Sequence, residues 1–280
     1  MFYLLLAIAS STMVSVCMRL SERHIKNQMA MFMANYAVCS ALSAAFMPGW
    51  GREELQSWNL PVIVGLGLVS GVLYLLGFVF LQFNMQHNGM VLASTFMKLG
   101  VLIPILMAIV AFREMPGAAQ AVGILLSVAA IVILHFEKGA MKQGSKMSWL
   151  LALLLTCGIT DSMANVFEQL TAGAGKDLYL LITFATAFAV ATVFAFKNGG
   201  RITKAELCFG ALLGVPNYFA SRFLLLALNG LDAVLVYPMY NVGTLVVITV
   251  IGVLLFREAL SRKKMAALGL IVLALVLLNL

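Results

Sequence analysis

The stretch Leu92–Glu114, LASTFMKLGVLIPILMAIVAFRE, constrains the chain more than any other: it is apolar over a membrane-crossing length, carries one lysine near its middle and ends in an Arg-Glu pair. A spanning helix needs ~20 apolar residues, because the hydrocarbon core is ~30 Å thick and each helical residue rises ~1.5 Å. Ten runs reach or approach that length: Met1–Met18, Asn27–Met47, Leu60–Leu81, Met90–Phe112, Pro116–Phe136, Ser148–Phe167, Leu178–Phe196, Leu207–Leu228, Ala233–Phe256 and Ser261–Leu280. Their links are short, QFNMQHNG between the third and fourth and NGLD between the eighth and ninth, so sequence neighbours run antiparallel. With 62% apolar residues, 10% charged ones and a mean hydropathy of +1.02, no soluble fold of this length covers its own surface. The expected class is an all-α polytopic membrane protein of ten transmembrane helices. The first run has no basic segment ahead of it and more spans follow, so it reads as a retained span rather than a signal peptide.

A shift of 144 positions lays Phe112, Arg113 and Glu114 on Phe256, Arg257 and Glu258, with apolar runs on either side of both triplets. Two Gly-x-x-x-Gly pairs, Gly67/Gly71 and Gly210/Gly214, recur at nearly the same offset and read as close helix contacts. The chain therefore reads as two five-helix repeats, 1–140 and 145–280, forming one domain. Its formal net charge of +7 sits mainly in the links, which points to membrane orientation and away from nucleic acid. Thirteen Lys and Arg residues follow odd-numbered spans and three (Arg52, Arg113, Lys176) follow even-numbered ones, which places both termini outside. Five spans per repeat is an odd number, so the second copy is inverted. The charges agree: the link after the first span has three basic residues and its copy after the sixth has one, while the links after the second and seventh reverse those counts.

These features resemble the drug/metabolite transporter superfamily in its ten-span, EamA-like form. The resemblance rests on size, on the five-plus-five duplication, and on the acid in the link after the fourth span of each half, in FREMPGAAQAVGILLSVAAIVIL (Phe112–Leu134) and FREALSRKKMAALGLIVLALVLL (Phe256–Leu278). Family members usually read leucine-glycine-glutamate there; Arg113 and Arg257 replace that glycine, and Gly123 and Gly269 match a later one. The family commonly keeps both termini in the cytoplasm, whereas the charge count here argues the reverse. A lysine a few residues ahead of a proline in the fourth span is similar to the triose-phosphate and nucleotide-sugar branch, with the wider spacing Lys98 to Pro104.

Charges inside spans are the informative exceptions, since each costs roughly 2.5–3.5 kcal/mol at a helix centre. Lys98 lies ~13 Å from the start of its run, near the midplane, and is a counter-charge for a substrate carboxylate or phosphate. Asp161 and Arg222 lie ~9 Å from the same face in spans of one direction, so they are expected either to pair or to face a watery cavity separately. Asn165 follows Asp161 by one turn and shares its face; Glu168 closes the sixth span as a proton-binding group or a solvated end. Tyr237, Pro238, Met239, Tyr240 and Asn241 form a polar interruption in the ninth span, and Pro216, Asn217 and Tyr218 a similar bend in the eighth. Under the 144 offset the first interruption falls on Ala93–Met97, beside Lys98, so both copies are expected to face one cavity. Asn217, Tyr218, Tyr237, Tyr240 and Asn241 therefore join Lys98 as candidate substrate contacts.

The remaining chemistry is sparse. Cys17, Cys39, Cys157 and Cys208 sit in apolar runs without metal-ligand spacing, His87 reads as a loop residue, and the seventeen methionines are spread as packing. No cofactor or metal is implied, and no enzyme constellation of nucleophile and base appears. The leading reading is a secondary transporter of a small anionic or zwitterionic metabolite working by alternating access, driven by a proton gradient or by a counter-substrate because no ATP-binding motif is present. Its alternatives are a proton-coupled exporter of lipophilic cations, using Asp161 or Glu168, and a channel or structural membrane protein. The absence of any soluble domain fits a bacterial inner membrane, with lipid as the surrounding partner.

Overall fold

The computed structural model describes residues 1–21, 24–47, 59–88, 90–135, 147–197, 202–256 and 262–278. Among them the chain forms eleven helices: α1 (Phe2–Ser21), α2 (Gln28–Ala45), α3 (Leu60–Asn88), α4 (Met90–Leu99), α5 (Leu102–Ala111), α6 (Ala118–His135), α7 (Met147–Thr171), α8 (Lys176–Lys197), α9 (Lys204–Leu228), α10 (Ala233–Phe256) and α11 (Arg262–Leu278). Six stretches are long and apolar enough to cross a membrane, Phe2–Ser21, Leu60–Leu81, Met147–Thr171, Lys176–Lys197, Lys204–Leu228 and Ala233–Ile251, and Phe96–Ala111, Ala118–Ile133 and Met265–Leu278 are shorter apolar ones. The protein is an all-α polytopic membrane protein. Its ten apolar runs yield eleven helices because the fourth run is broken into α4 and α5.

Backbone contacts divide the chain into two compact units, and each draws on both sequence halves. The first comprises Met1–Leu75 and Val166–Asn229. In it α2 packs against α8 and α9, and α1 against α9. Both Gly-x-x-x-Gly pairs make close contacts here. A Cβ on Gly67 would stand 2.8 Å from Ile182 Cγ2, and one on Gly71 2.5 Å from the Thr183 carbonyl, so α3 meets α8 at backbone range. Gly210 faces the Met31 carbonyl in the same way, and a Cβ on Gly214 would stand 2.8 Å from that of Asn35, which joins α9 to α2. Without a hydrophobic force between helices in lipid, such approaches supply the packing.

The start of α9 is fixed by a capping box, in which Thr203 N–H donates to Glu206 Oε2 at 2.7 Å. The fully buried Glu206 carboxylate also accepts the backbone N–H groups of Lys26 (3.2 Å) and Asn27 (3.3 Å). Asn27 in turn caps α2 by accepting from Ala30 N–H at 3.2 Å. One acid thus ties the α1–α2 link to the head of α9.

The second unit comprises Leu76–Asn165 and Gly230–Leu280. Here α11 packs on α6, and α10 on α5, α6 and α11. The expected link QFNMQHNG is helical through Asn88 and continues α3. Asn84, fully buried, explains part of that extension: its Nδ2 donates to the Phe80 carbonyl at 2.8 Å and to the Trp149 carbonyl at 2.9 Å, and its Oδ1 accepts from Asn88 at 2.6 Å. His87, read as a loop residue, lies on that helix with its ring nitrogen 2.9 Å from the Phe83 carbonyl.

The Arg-Glu pair after α5 has a structural role. Arg113 adopts a left-handed conformation (φ 58°), the state that a glycine takes most readily, and Glu114 N–H folds back to the Ala108 carbonyl at 3.0 Å. The Glu114 carboxylate then accepts Val234 N–H at 2.8 Å, satisfying a free donor at the start of α10. The corresponding Arg257 and Glu258 lie outside the described residues.

Two glycines of one helix give opposite expectations. Gly71→Ala forces its Cβ onto the Thr183 carbonyl and is expected to cost ~1–3 kcal/mol. Gly65→Ala meets nothing within 4 Å and is expected to stabilise by up to ~1 kcal/mol through helix propensity. Thermal melts of the two variants in detergent check the contrast; equal melting temperatures would contradict the packing of α3 on α8.

Candidate functional site

The break between α4 and α5 is written in Gly100 and Pro104. Proline has no N–H to give the Gly100 carbonyl four residues back, and Ile103 N–H takes that carbonyl instead at 2.9 Å. Gly100 N–H is shared between the Phe96 and Met97 carbonyls, both at 3.2 Å, and Val101 N–H reaches Lys98 at 3.3 Å. The joint is therefore a tightened, three-residue turn inside an apolar run. Glycine lets it press on α7: a Cβ on Gly100 would stand 3.1 Å from Gly158 N, and one on Gly158 2.6 Å from the Gly100 carbonyl.

Lys98 stands two residues before this contact and Asp161 three residues after it. Their charges interact, without a direct ion pair among the described residues. The Cys157 thiol, one turn before Asp161, lies within range of both. Lys98 is half-buried and the Asp161 side chain is open. From α10 the buried Tyr237 donates its hydroxyl to the Asp161 main-chain carbonyl at 2.6 Å. Asn165, one turn further along α7, is 2% exposed, and its Nδ2 has no hydrogen-bond partner among the described residues. The second unit thus gathers an ammonium, a carboxylate and a phenol anchor beside one helix joint, with an unmet amide donor one turn beyond the carboxylate on α7.

Other candidates from the sequence are used differently. Asn241 turns its Nδ2 onto the Tyr237 carbonyl of its own helix at 3.1 Å, and the half-buried Tyr240 accepts Thr244 Oγ1 at its carbonyl, 2.7 Å away. Pro238 lies inside α10 without ending it, and Pro216 likewise inside α9, so the interruption expected in the ninth span falls instead in the fourth run.

In the first unit Arg222 pairs with Asp177; of the two arrangements expected for Asp161 and Arg222, a mutual pair or separate placement, neither describes Arg222, whose ion pair is with this acid at the start of α8. Asp177 occupies the first turn of α8, where an acid is favoured by the helix dipole, and α8 begins two residues earlier than the apolar run suggested. The side chains of Arg222 and Asp177 are 19% and 7% exposed. Arg222 Nη1 also donates to the Tyr218 hydroxyl at 2.5 Å, and its guanidinium lies 5.5 Å from the Phe46 ring centre and 5.9 Å from that of Tyr218. Tyr218 is therefore fully buried and engaged by Arg222, while Asn217 donates to Asn35 Oδ1 at 3.2 Å. Glu168 accepts from Asn229 Nδ2 beside Gly173 (φ 73°), tying the α7–α8 turn to the end of α9.

The candidate residues are thus divided between the units, Lys98, Asp161, Asn165, Tyr237, Tyr240 and Asn241 in the second and Asn217, Tyr218, Arg222 and Glu168 in the first. Asp177, Asn35 and Glu206 escaped the sequence reading, because each sits at a span end or reads as a single polar residue in an apolar run. The four cysteines are free, and among the described residues no group of three or more His, Cys, Asp and Glu gathers to hold a metal.

Comparison with known proteins agrees with this architecture. Residues 177–271 match the model of the Small Multidrug Resistance protein family. An uncharacterized protein of Haemophilus influenzae is 26% identical over 276 residues, covering 94% of this chain and 92% of its own. The uncharacterized membrane protein YvaE of Bacillus subtilis is 33% identical over 103 residues, 36% of this chain and 84% of its own. A solved crystal structure superposes with a TM-score of 0.81 at 17% identity, covering 99% of this chain and 94% of its own, which is a likeness of fold.

The Arg222–Asp177 pair predicts a specific pattern of stability. Arg222→Gln and Asp177→Asn are each expected to lower the melting temperature, and the double variant to recover a coupling of ~1–3 kcal/mol. Strictly additive losses would contradict the contact.

Proposed function

We propose that this chain, which belongs to the membrane transporters of the drug/metabolite type, carries a small organic anion or zwitterion across the membrane and binds it at Lys98. The observation that carries this reading is the placing of Lys98 on a broken helix in the middle of an apolar run, coupled to the open carboxylate of Asp161. Charged side chains at span depth line watery cavities and mark substrate pathways. Transporters built from inverted repeats bind near the midplane at discontinuous helices, where freed backbone groups add to the side chains. Both features meet at the α4–α5 joint. Transport then proceeds by alternating access, with both termini outside a bacterial inner membrane, the orientation that the charge bias of the links favours. The two named relatives are bacterial.

A second reading has its own support. The match to the Small Multidrug Resistance family over residues 177–271, together with the open Asp161 carboxylate, favours export of lipophilic cations by exchange for protons. The two readings differ in which charge of the pair meets the substrate.

Ligand-dependent melting of the purified protein separates them. Binding to the native state raises the melting temperature by mass action, by ~2.7 kcal/mol of stability at a hundredfold excess over Kd. Carboxylates or zwitterions are expected to stabilise the wild type and to lose that effect in Lys98→Ala. Stabilisation by lipophilic cations alone, unchanged in Lys98→Ala, would replace the anion reading with the cation one.

A further inference from the structure

Building on the anion reading, we infer that the substrate binds together with one proton, Asp161 taking the proton as the anion takes over Lys98. The charge balance at the joint calls for that proton. In the empty site the Lys98 ammonium and the Asp161 carboxylate lie two and three residues from the Gly100–Gly158 contact, within electrostatic range, and sum to zero. An anion entering beside them leaves the site at minus one, and an uncompensated charge at this depth is heavily penalised. A proton from water, forming an O–H bond on the Asp161 carboxylate, restores neutrality: Lys98 is then balanced by the anion and Asp161 is uncharged. No bond in the protein or the anion breaks. Empty and loaded sites both carry zero charge, so each can pass through the rocking step, and the cycle moves an anion and a proton together without moving net charge.

Once an anion neutralises Lys98, the Asp161 carboxylate loses the neighbouring cation that favours its charged form, so it is the group that takes the proton. Lys98 from α4 and Cys157 on its own helix lie within electrostatic range of it, the Tyr237 hydroxyl from α10 donates to its main-chain carbonyl, and Asn165 follows one turn later on α7. Thiols and phenols ordinarily titrate at about 8.5 and about 10, and an amide does not titrate. The Nδ2 of Asn165, one turn after Asp161 on α7 and 2% exposed, is a donor whose desolvation nothing among the described residues repays.

Because proton and anion bind together, affinity for the anion rises as pH falls, by up to ~10-fold per unit. The test uses the full chain in weakly buffered detergent with a pH-indicator dye, and lactate and isethionate as probes, the second being a sulfonate with no titratable proton near neutrality. The expected result is uptake of about one proton per probe bound, with affinity falling on the alkaline side. Asp161→Asn is expected to abolish the uptake and Asp161→Glu to retain it. Binding of either probe without proton uptake in the wild type overturns the proposal even if Asp161→Asn fails to fold, as does uptake that persists in Asp161→Asn. If neither probe binds at any pH, the anion reading fails and the proposal falls with it.

Discussion

An ammonium group near the middle of a membrane-length run costs several kcal/mol unless something answers it, and the local structure around Lys98 supplies that answer. Pro104 withholds an N–H, the turn tightens at Gly100, and the backbone there comes within contact of Gly158. The consequence is electrostatic as much as steric. Two glycines bring the α4–α5 joint and α7 close enough for Asp161, six residues before the apolar run ends at Phe167, to feel the Lys98 charge. Tyr237 then holds the carbonyl of that same aspartate from α10. Three helices are registered by one joint.

A second theme is that acids at span ends work on backbone donors. Glu206 holds the head of α9 and the α1–α2 link, and Glu114 reaches the first turn of α10. Helix starts carry unsatisfied N–H groups, and lipid offers them nothing, so a carboxylate at a link is structurally valuable wherever it appears. This gives the acid in the Phe112–Arg113–Glu114 triplet a physical meaning. The preceding position needs a left-handed backbone, which glycine adopts without strain and Arg113 adopts at φ 58°.

Much of the fold was legible because lipid imposes simple rules. Membrane-length apolar runs could only be helices, and the Gly-x-x-x-Gly pairs marked real close contacts. The helix ends were less legible. Asn84 and Asn88 extend α3 through what composition marks as a link, since their bonds depend on partners remote in sequence such as Trp149. The site was half legible. Lys98 and Asp161 stood out as charges in apolar runs, yet depth alone matched Asp161 with Arg222, while the actual partner Asp177 was hidden in the first turn of α8. Proline proved an ambiguous signal: Pro216 and Pro238 sit inside continuous helices, and only Pro104, four residues after a glycine, coincides with a break. At Pro104 the Ile103 N–H takes over the freed Gly100 carbonyl in a tighter turn.

The central claim is that Lys98 is where an anion binds, and a crystal structure of the protein with 4-bromobenzoate tests it most directly, because bromine marks its own position by anomalous scattering. The account predicts a bromine peak on the joint, with the carboxylate in ion-pair reach of Lys98 Nζ and absent from Lys98→Ala crystals. A peak at Arg222, or one that survives the loss of Lys98, would contradict it.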